Sequence, residues 1–335
     1  MEDIRYNPIS RYLKEKFGER VRKVTVNCGF TCPNRDGVKG VGGCIFCEPG
    51  TLIPKDYKEG LSVKEQIDGG VERLRKRRNV EKFIAYFQIN TNTYDDAARL
   101  EKLYREAMAH PLITAVAIST RPDCVSDSVL TLLSGLKKEK HLWLEMGLQS
   151  SNEKTLEFIN RGHTAADFKD AVERISKRGI DTCAHVIFGL PGEEKEDMLN
   201  TIRFISGMPV RGVKFHQMDV VKGAPLEGIY KKGGLRVLTL EEYAECVVES
   251  LELLPPSMVI HRLSGVTPKE FLIAPLWGLN KFLVKAEIEK LLEQRNTRQG
   301  AKYVKTENLQ TPFPRSLPPK GLVGGRESKS SWEEF

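Results

Sequence analysis

No stretch of this 335-residue sequence approaches the ~20 consecutive apolar residues that a bilayer-spanning helix needs, which excludes a helical membrane anchor. The N-terminus, MEDIRYNPIS, is polar and lacks the apolar segment of a secretory leader. No internal repeat of fixed period is present, which excludes a repeat architecture. A strong charge bias is missing too: 52 basic and 45 acidic side chains leave a net charge of +7. That mild excess permits an anionic partner such as RNA without requiring one. With neither leader nor anchor, the expected location is cytoplasmic, with no membrane partner. There the seven cysteines are read as metal ligands or small buried hydrophobes, not as disulfides.

What is present is a regular alternation. Strands are predicted at VRKVTVNC (21–28), KFIAYFQIN (82–90), ITAVAIST (113–120), HLWLEMGLQS (141–150), DTCAHVIFGL (181–190) and GVKFHQMDVV (212–221). Helices are predicted over 62–78, 95–109, after Ser126, and over 152–160, 166–178, 194–206 and 239–253. Several of the strands are near-continuous apolar runs, as strands covered on both faces require, so the sheet is parallel. Six βα units in a row imply an α/β fold, a partial TIM-type (β/α)6 barrel, with a doubly wound sheet as the alternative. The chain divides into an N-terminal extension (1–20), the barrel (21–254), a small C-terminal extension (255–294) and a polar tail (295–335) whose Pro, Gly, Lys and Ser content predicts disorder. Polar clusters fall strand after strand at the C-terminal ends, where barrel chemistry sits.

The densest of these is CPNRDGVKGVGGCIFC, in which Cys32, Cys44 and Cys47 stand at C-x11-C-x2-C spacing with Cys28 just upstream. Spacing alone admits a four-thiolate zinc site, an iron–sulfur cluster or unligated thiols. A chain with a large core does not need a zinc staple. Gly37, Gly40, Gly42 and Gly43 allow tight turns and close approach of backbone amides to cluster sulfides, which favours a cluster. A cluster held by three thiolates leaves one iron open.

These residues do not stand alone. Together with YFQINTNTY, ISTRPD, LEMGLQSSNEKTLEFINRGH, HVIFGLPGE, KFHQMDVVKG and HRLSG, in that order, they make the sequence resemble the radical S-adenosylmethionine (SAM) superfamily. Within it the chain is most similar to the YhcC-like family, relatives of the Elongator catalytic subunit. The likeness runs over roughly residues 5–295. It implies a radical SAM barrel in which Cys32, Cys44 and Cys47 hold a [4Fe–4S] cluster, and SAM chelates the open iron. Cys28 is then non-ligating, as Cys124, Cys183 and Cys246 are, in keeping with the buried habit of free thiols. The implied chemistry is reductive cleavage of SAM to methionine and a 5′-deoxyadenosyl radical that abstracts a substrate hydrogen. An electron donor such as flavodoxin or ferredoxin is implied with it.

The resemblance also suggests the cofactor contacts. Phe46 would shield the cluster and meet the adenine. The superfamily's Gly-Gly-Glu motif is absent, and Gln88, Asn92 and Thr93 occupy its strand end. Ser119 suits a ribose hydroxyl; Arg121 and Arg161 suit the cofactor carboxylate. Glu145 and Gln149 suit a sulfonium or ribose, and Gly189 and Gly192 let backbone approach the adenine. For Ser119 and Arg121, capping before Pro122 is the plainer role. His185, His216 and Lys222 are candidate substrate or catalytic groups, as are His261 and Arg262 near the cavity mouth. By resemblance, the substrate is the C5 side chain of the tRNA wobble uridine. RNA contact would then come from the barrel rim, the basic run RLRKRR (73–78) and the lysine-bearing tail. A protein or small metabolite is the alternative substrate.

Overall fold

The computed structural model describes residues 4–54, 57–77 and 80–305. Among the described residues ten α-helices and nine strands run in chain order through the barrel and its extensions. They are α1 (Ile9–Phe17), β1 (Val21–Val26), α2 (Val63–Arg77), β2 (Lys82–Phe87), α3 (Ala97–Ala109), β3 (Ile113–Thr120), α4 (Asp127–Lys137) and β4 (His141–Gln149). Next come α5 (Glu153–Phe158), α6 (Ala165–Lys177), β5 (Asp181–Phe188), α7 (Lys195–Ser206), β6 (Gly212–Gln217) and β7 (Val220–Val221). The chain continues through α8 (Pro225–Lys231), α9 (Leu240–Leu253), β8 (Val259–Arg262), β9 (Leu272–Ala274) and α10 (Lys281–Gln294).

Strands β1 to β6 pair in chain order, each parallel to the next, as the apolar runs predict. The sheet has a seventh strand beyond the six expected. It is β8, drawn from the 255–294 segment and paired parallel to β6. The strand expected over 212–221 is divided. After Gln217 the chain leaves the sheet, and β7 pairs antiparallel with β9 in a separate ribbon. Helix starts are held by side-chain caps at Asp96, Ser126, Asn152, Thr164 and Thr239, each accepting from backbone N–H groups of the first turn.

The side-chain period of two sends alternate strand residues to opposite faces. Outward residues such as Phe83, Val116, Leu144 and Phe215 meet the helices in the main core. Inward residues form layers. Val21, Ile84, Ala115, Trp143, Cys183 and Val259 make an apolar bottom layer, and Ile9 and Leu13 of α1 pack into it as a plug. The next inward position is polar on β1, β2, β4, β5 and β8 (Lys23, Tyr86, Glu145, His185 and His261), while β3 keeps an apolar Ala117 there, and at this level the cavity begins.

The tail differs from expectation at its start. Thr297 and Gln299 are buried, and Gln299 donates to the carbonyls of Pro255 and Met258 at 2.7 and 2.8 Å. Its Oε1 accepts from the Asn7 N–H at 2.8 Å, so residues after Arg295 fasten the N-terminal segment to the barrel instead of hanging free. The stretch 306–335, expected to be disordered, lies outside the described residues, as does part of RLRKRR. Among the described residues no helix is long and apolar enough to cross a membrane.

Candidate active site

A cavity of about 440 Å³ opens at the C-terminal ends of the strands, and Cys32, Cys44 and Cys47 all line it. The loop that carries them is built from backbone turns and a few polar side chains. The N–H groups of Arg35 and Asp36 donate to the Cys32 carbonyl at 2.7 and 3.1 Å, and the Cys47 N–H donates to the Cys44 carbonyl at 3.0 Å. Asn34 Nδ2 donates to the Asn160 carbonyl at 2.5 Å and lies 3.6 Å from Cys44 Sγ. Asn160 returns a bond to the Gly43 carbonyl at 2.8 Å, so the loop is stitched to the turn after α5. Gly43 has φ +86°, and a Cβ there would stand 2.8 Å from Arg35 Nε, whose guanidinium donates to the Cys47 carbonyl at 2.6 Å. Lys39 of the loop pairs with Asp123 after β3 at 2.8 Å.

Two further cations flank the cysteines. Arg161 Nη1 lies 3.5 Å from Cys44 Sγ, while Nη2 donates to the Gly147 carbonyl at 2.7 Å. Arg121 grips both oxygens of Asp123 at 3.0 Å and donates to the Arg161 carbonyl at 2.8 Å. Burial works to raise the Asp123 pKa, yet Arg121 and Lys39 bring it down to about 2. Beside them Gln149 holds φ +76° at the end of β4, where the register with β5 shifts. A non-glycine residue in that region, facing a cavity, marks strain kept for a purpose.

Cys28 stands apart. It does not line the cavity, and burial, with Glu106 nearby, pushes its thiol up to about 12. Among the described residues no group of three or more His, Cys, Asp or Glu is placed to hold a single metal ion. Cys47 has neighbours of its own kind: burial raises its pKa, and the charges of Cys44 and Cys32 are felt there. Three soft donors, arginine and asparagine N–H groups aimed at one sulfur, and buried polar atoms without partners at Arg161 Nε and Asn34 Oδ1 suit a thiolate-bound cluster with a polar ligand beside it.

The floor of the cavity is organised around Glu145 of β4, which is fully buried. Lys23 of β1 meets Oε1 at 2.7 Å, and Lys214 of β6 meets Oε2. Tyr86 of β2 donates to Oε2 at 2.7 Å, Trp143 Nε1 to Oε1 at 3.1 Å, and His185 Nε2 of β5 lies 3.2 Å from Oε2. His261 Nδ1 of β8 lies 3.8 Å from Oε1, so strands at opposite ends of the pairing order converge on one carboxylate, which shows how far the sheet curls. Burial alone would raise the Glu145 pKa, but Lys214 and Lys23 hold it well below the usual carboxylate range. Burial lowers His185 and His261 to about 4 and lowers His216 further, so all three are neutral at pH 7.

The cavity thus gathers Cys32, Cys44, Cys47, Phe46, Gln88, Ser119, Arg121, Glu145, Gln149, Arg161, His185, His216 and Arg262. It does not gather the rest. Asn92 is buried and donates from Nδ2 to the Ser119 carbonyl at 3.0 Å, and Thr93 binds Thr120 Oγ1 and the Cys124 carbonyl. Both tie β2 to β3 behind the cavity wall. Gly189 and Gly192 have φ +84° and +81°, and neither lines the cavity; the Gly189 N–H donates to Met198 Sδ. Lys222 is exposed on the ribbon after β7. Sequence reasoning passed over Lys23, Tyr86, Asn34, Arg35 and Lys214. A lysine inside an apolar strand, as in VRKVTV and GVKFHQ, was the available signal for two of them.

Comparison with known proteins bears on the family and the fold. A model of the radical SAM superfamily matches residues 26–205, and a model of the Radical_SAM C-terminal domain matches 210–294. Protein YhcC of Escherichia coli (strain K12) is 34% identical over 290 residues, covering 86% of this chain and 93% of its own length. A tRNA uridine(34) acetyltransferase of Methanocaldococcus jannaschii is 25% identical over 183 residues, 53% of this chain and 33% of that protein. Among solved structures, archaeal Methanocaldococcus infernus Elp3 superposes with a TM-score of 0.65 at 19% identity, over 83% of this chain and 64% of that one, a likeness of fold. The chain belongs to the radical SAM superfamily, and within it to the YhcC-like family; its cofactors are a [4Fe–4S] cluster and SAM.

Proposed function

We propose that this radical SAM enzyme remodels the C5 side chain of the tRNA wobble uridine, for example by trimming a carboxymethylaminomethyl group toward aminomethyl. The observation that carries the reading is continuity: the three cysteines and the polar floor line one cavity. Distant relatives named for tRNA uridine(34) acetylation and for archaeosine synthesis support an RNA substrate. When bound, the cluster and SAM supply a one-electron cleavage that yields a hydrogen-abstracting radical. The protein does the rest.

Cys32, Cys44 and Cys47 hold the cluster through their thiolates. Asn34 and Arg161 donate toward Cys44 Sγ and so temper its charge. Arg161, fixed on the Gly147 carbonyl, offers its buried Nε toward a cofactor carboxylate, and Arg121 sets the position of Arg161 through its backbone. Phe46, Gln88, Ser119 and Gln149 bound the cofactor's space. We assign Glu145 to the floor, where it fixes Lys23, Lys214, Tyr86 and His185, rather than to the cofactor. His185 and His216, neutral and adjacent with ring centroids 5.4 Å apart, face the substrate space. A cytoplasmic setting with flavodoxin or ferredoxin as donor belongs to the same reading.

Nucleoside analysis of tRNA from a strain lacking the gene tests it. The expected result is accumulation of an unprocessed wobble uridine. An unchanged wobble-uridine profile would contradict an RNA substrate and point to a protein or small metabolite instead.

A further inference from the structure

Arg262 closes β8, the edge strand. Its register partner on β6 is Lys214, and both line the cavity floor. Among the described residues the Arg262 guanidinium has no ion-pair or hydrogen-bond partner. Every carboxylate of the cavity is otherwise engaged. Glu145 is enclosed by Lys23, Lys214, Tyr86, Trp143 and His185. Asp219 accepts from Gln217 at 2.9 Å and Thr267 at 2.7 Å, and Glu48 caps the Gly50 N–H at 3.0 Å. Burial pushes Asp219 up to about 6, and its two oxygens are already taken by Gln217 and Thr267.

The polar atoms nearby are left waiting as well. His216 Nε2 is buried with no partner, and the charge of Arg262 is felt at His216, Lys214 and Tyr86. Arg262 is thus at the β6–β8 side of the floor, whereas Arg161 and Arg121 are at the cysteine end. Beyond β8 a second cavity, of about 410 Å³, shares Arg262 and Val266 with the first. Lys14, Arg20, Lys281 and Lys285 line it against one carboxylate, Glu289. Basic side chains outnumber acidic ones along this path from the outer groove to the floor. A half-buried guanidinium that faces a cavity without a counter-ion can take an anion there, and its planar fork fits the two oxygens of a carboxylate or phosphate.

We propose that Arg262, with His216 beside it, forms an oxyanion subsite that receives a negatively charged group of the substrate on the cavity floor. This deepens the proposed function and rests on it only in taking the cavity as the substrate site. Under that reading the oxyanion is the carboxylate of a C5 side chain; a phosphate group is the other source of the same chemistry.

The test is calorimetric titration of the full-length protein, anaerobically reconstituted and saturated with SAM, using wild type, Arg262→Gln and Arg262→Lys. The probes are 5-carboxymethyluridine, its neutral analogue 5-carbamoylmethyluridine, and inorganic phosphate. Iron content and the urea midpoint of each variant confirm folding, and SAM affinity is measured alongside. The expected result is that wild type binds the acid about tenfold or more tighter than the amide. Arg262→Gln should erase that preference, Arg262→Lys should keep part of it, and SAM affinity should stay within about twofold. If phosphate binds through Arg262 and neither uridine binds, the subsite stands and the uridine reading fails. If the uridines bind but acid and amide are equal, or Arg262→Gln leaves the preference intact, the uridine reading stands and the subsite is overturned. Loss of SAM affinity without loss of the preference, or no Arg262-dependent binding of any probe, also overturns it.

Discussion

The two ends of the cavity are built from opposite materials. The cysteine end is a loop without strands, held by backbone turns, by the Asn34–Asn160 stitch and by glycine at positive φ. The floor is held by strands, with one buried carboxylate drawing on side chains from β1, β2, β4, β5 and β6. A loop of that kind can yield as a soft ligand set is filled, whereas charges set by strand register cannot relax. Chemistry that needs an exchangeable ligand beside a fixed substrate has a use for both.

The sharpest way to break the comparison is at the cysteines. Replacing Cys32, Cys44 or Cys47 by Ala should remove essentially all cluster iron, measured as iron per chain after anaerobic reconstitution, while far-UV circular dichroism stays native because the strands do not depend on the loop.

At the floor the expected effect is on stability. Glu145→Gln leaves Lys23 and Lys214 without their counter-ion in a buried layer, and should cost roughly 3–5 kcal/mol in urea unfolding. Iron binding by the folded fraction should persist. Loss of iron at unchanged stability would mean that the two ends are not separate.

Part of the pH response should come from the floor, beside that of His141 and His163, which burial lowers to about 3. His185 and His261 are lowered to about 4 by burial, against an unfolded value of ~6.5, so between those values the unfolded chain binds more protons. Stability should therefore fall as pH drops from ~6.5 toward 4, with a slope of up to about 1.4 kcal/mol per pH unit for each histidine. Glu145 has the opposite ionic character but acts lower. Its contribution is present above its unfolded value of ~4.3 and is lost only as pH falls through its depressed folded value. Urea midpoints measured from pH 7 to 4 check both, and a flat profile would contradict the buried neutral histidines.

A smaller effect is expected at Gly43. Gly43→Ala puts a Cβ 2.8 Å from Arg35 Nε at a backbone φ of +86°. It should cost about 1–2 kcal/mol and speed loss of iron to a chelator, with the floor's pH profile unchanged.

The same contrast decides what the sequence disclosed. The cysteine triplet sits within 16 residues, so its spacing is visible without knowing the fold. The floor draws single residues from several strands: a lysine inside an apolar strand marks Lys23 and Lys214 as unusual, but nothing local says that both meet Glu145 until the curl of the sheet is known. Asn92 and Thr93 fall at the right strand end, yet their side chains are spent on joining β2 to β3. Strand position was legible there and side-chain direction was not. The parallel order of β1 to β6 could be read from apolar runs, but β8 could not, because VIHR is four residues long and follows a break in composition. Packing of Thr297 and Gln299 was hidden for a similar reason: polar residues that fasten a terminus through hydrogen bonds look like those of a free tail.

The central claim is that three thiolates, not four, hold the cluster and leave one iron for SAM. Iron content and electron paramagnetic resonance of anaerobically reconstituted Cys28→Ala protein, with and without SAM, test it most directly. The account predicts wild-type iron per chain and a reduced-cluster signal that changes when SAM is added. Loss of iron in Cys28→Ala, or a signal indifferent to SAM, would contradict it.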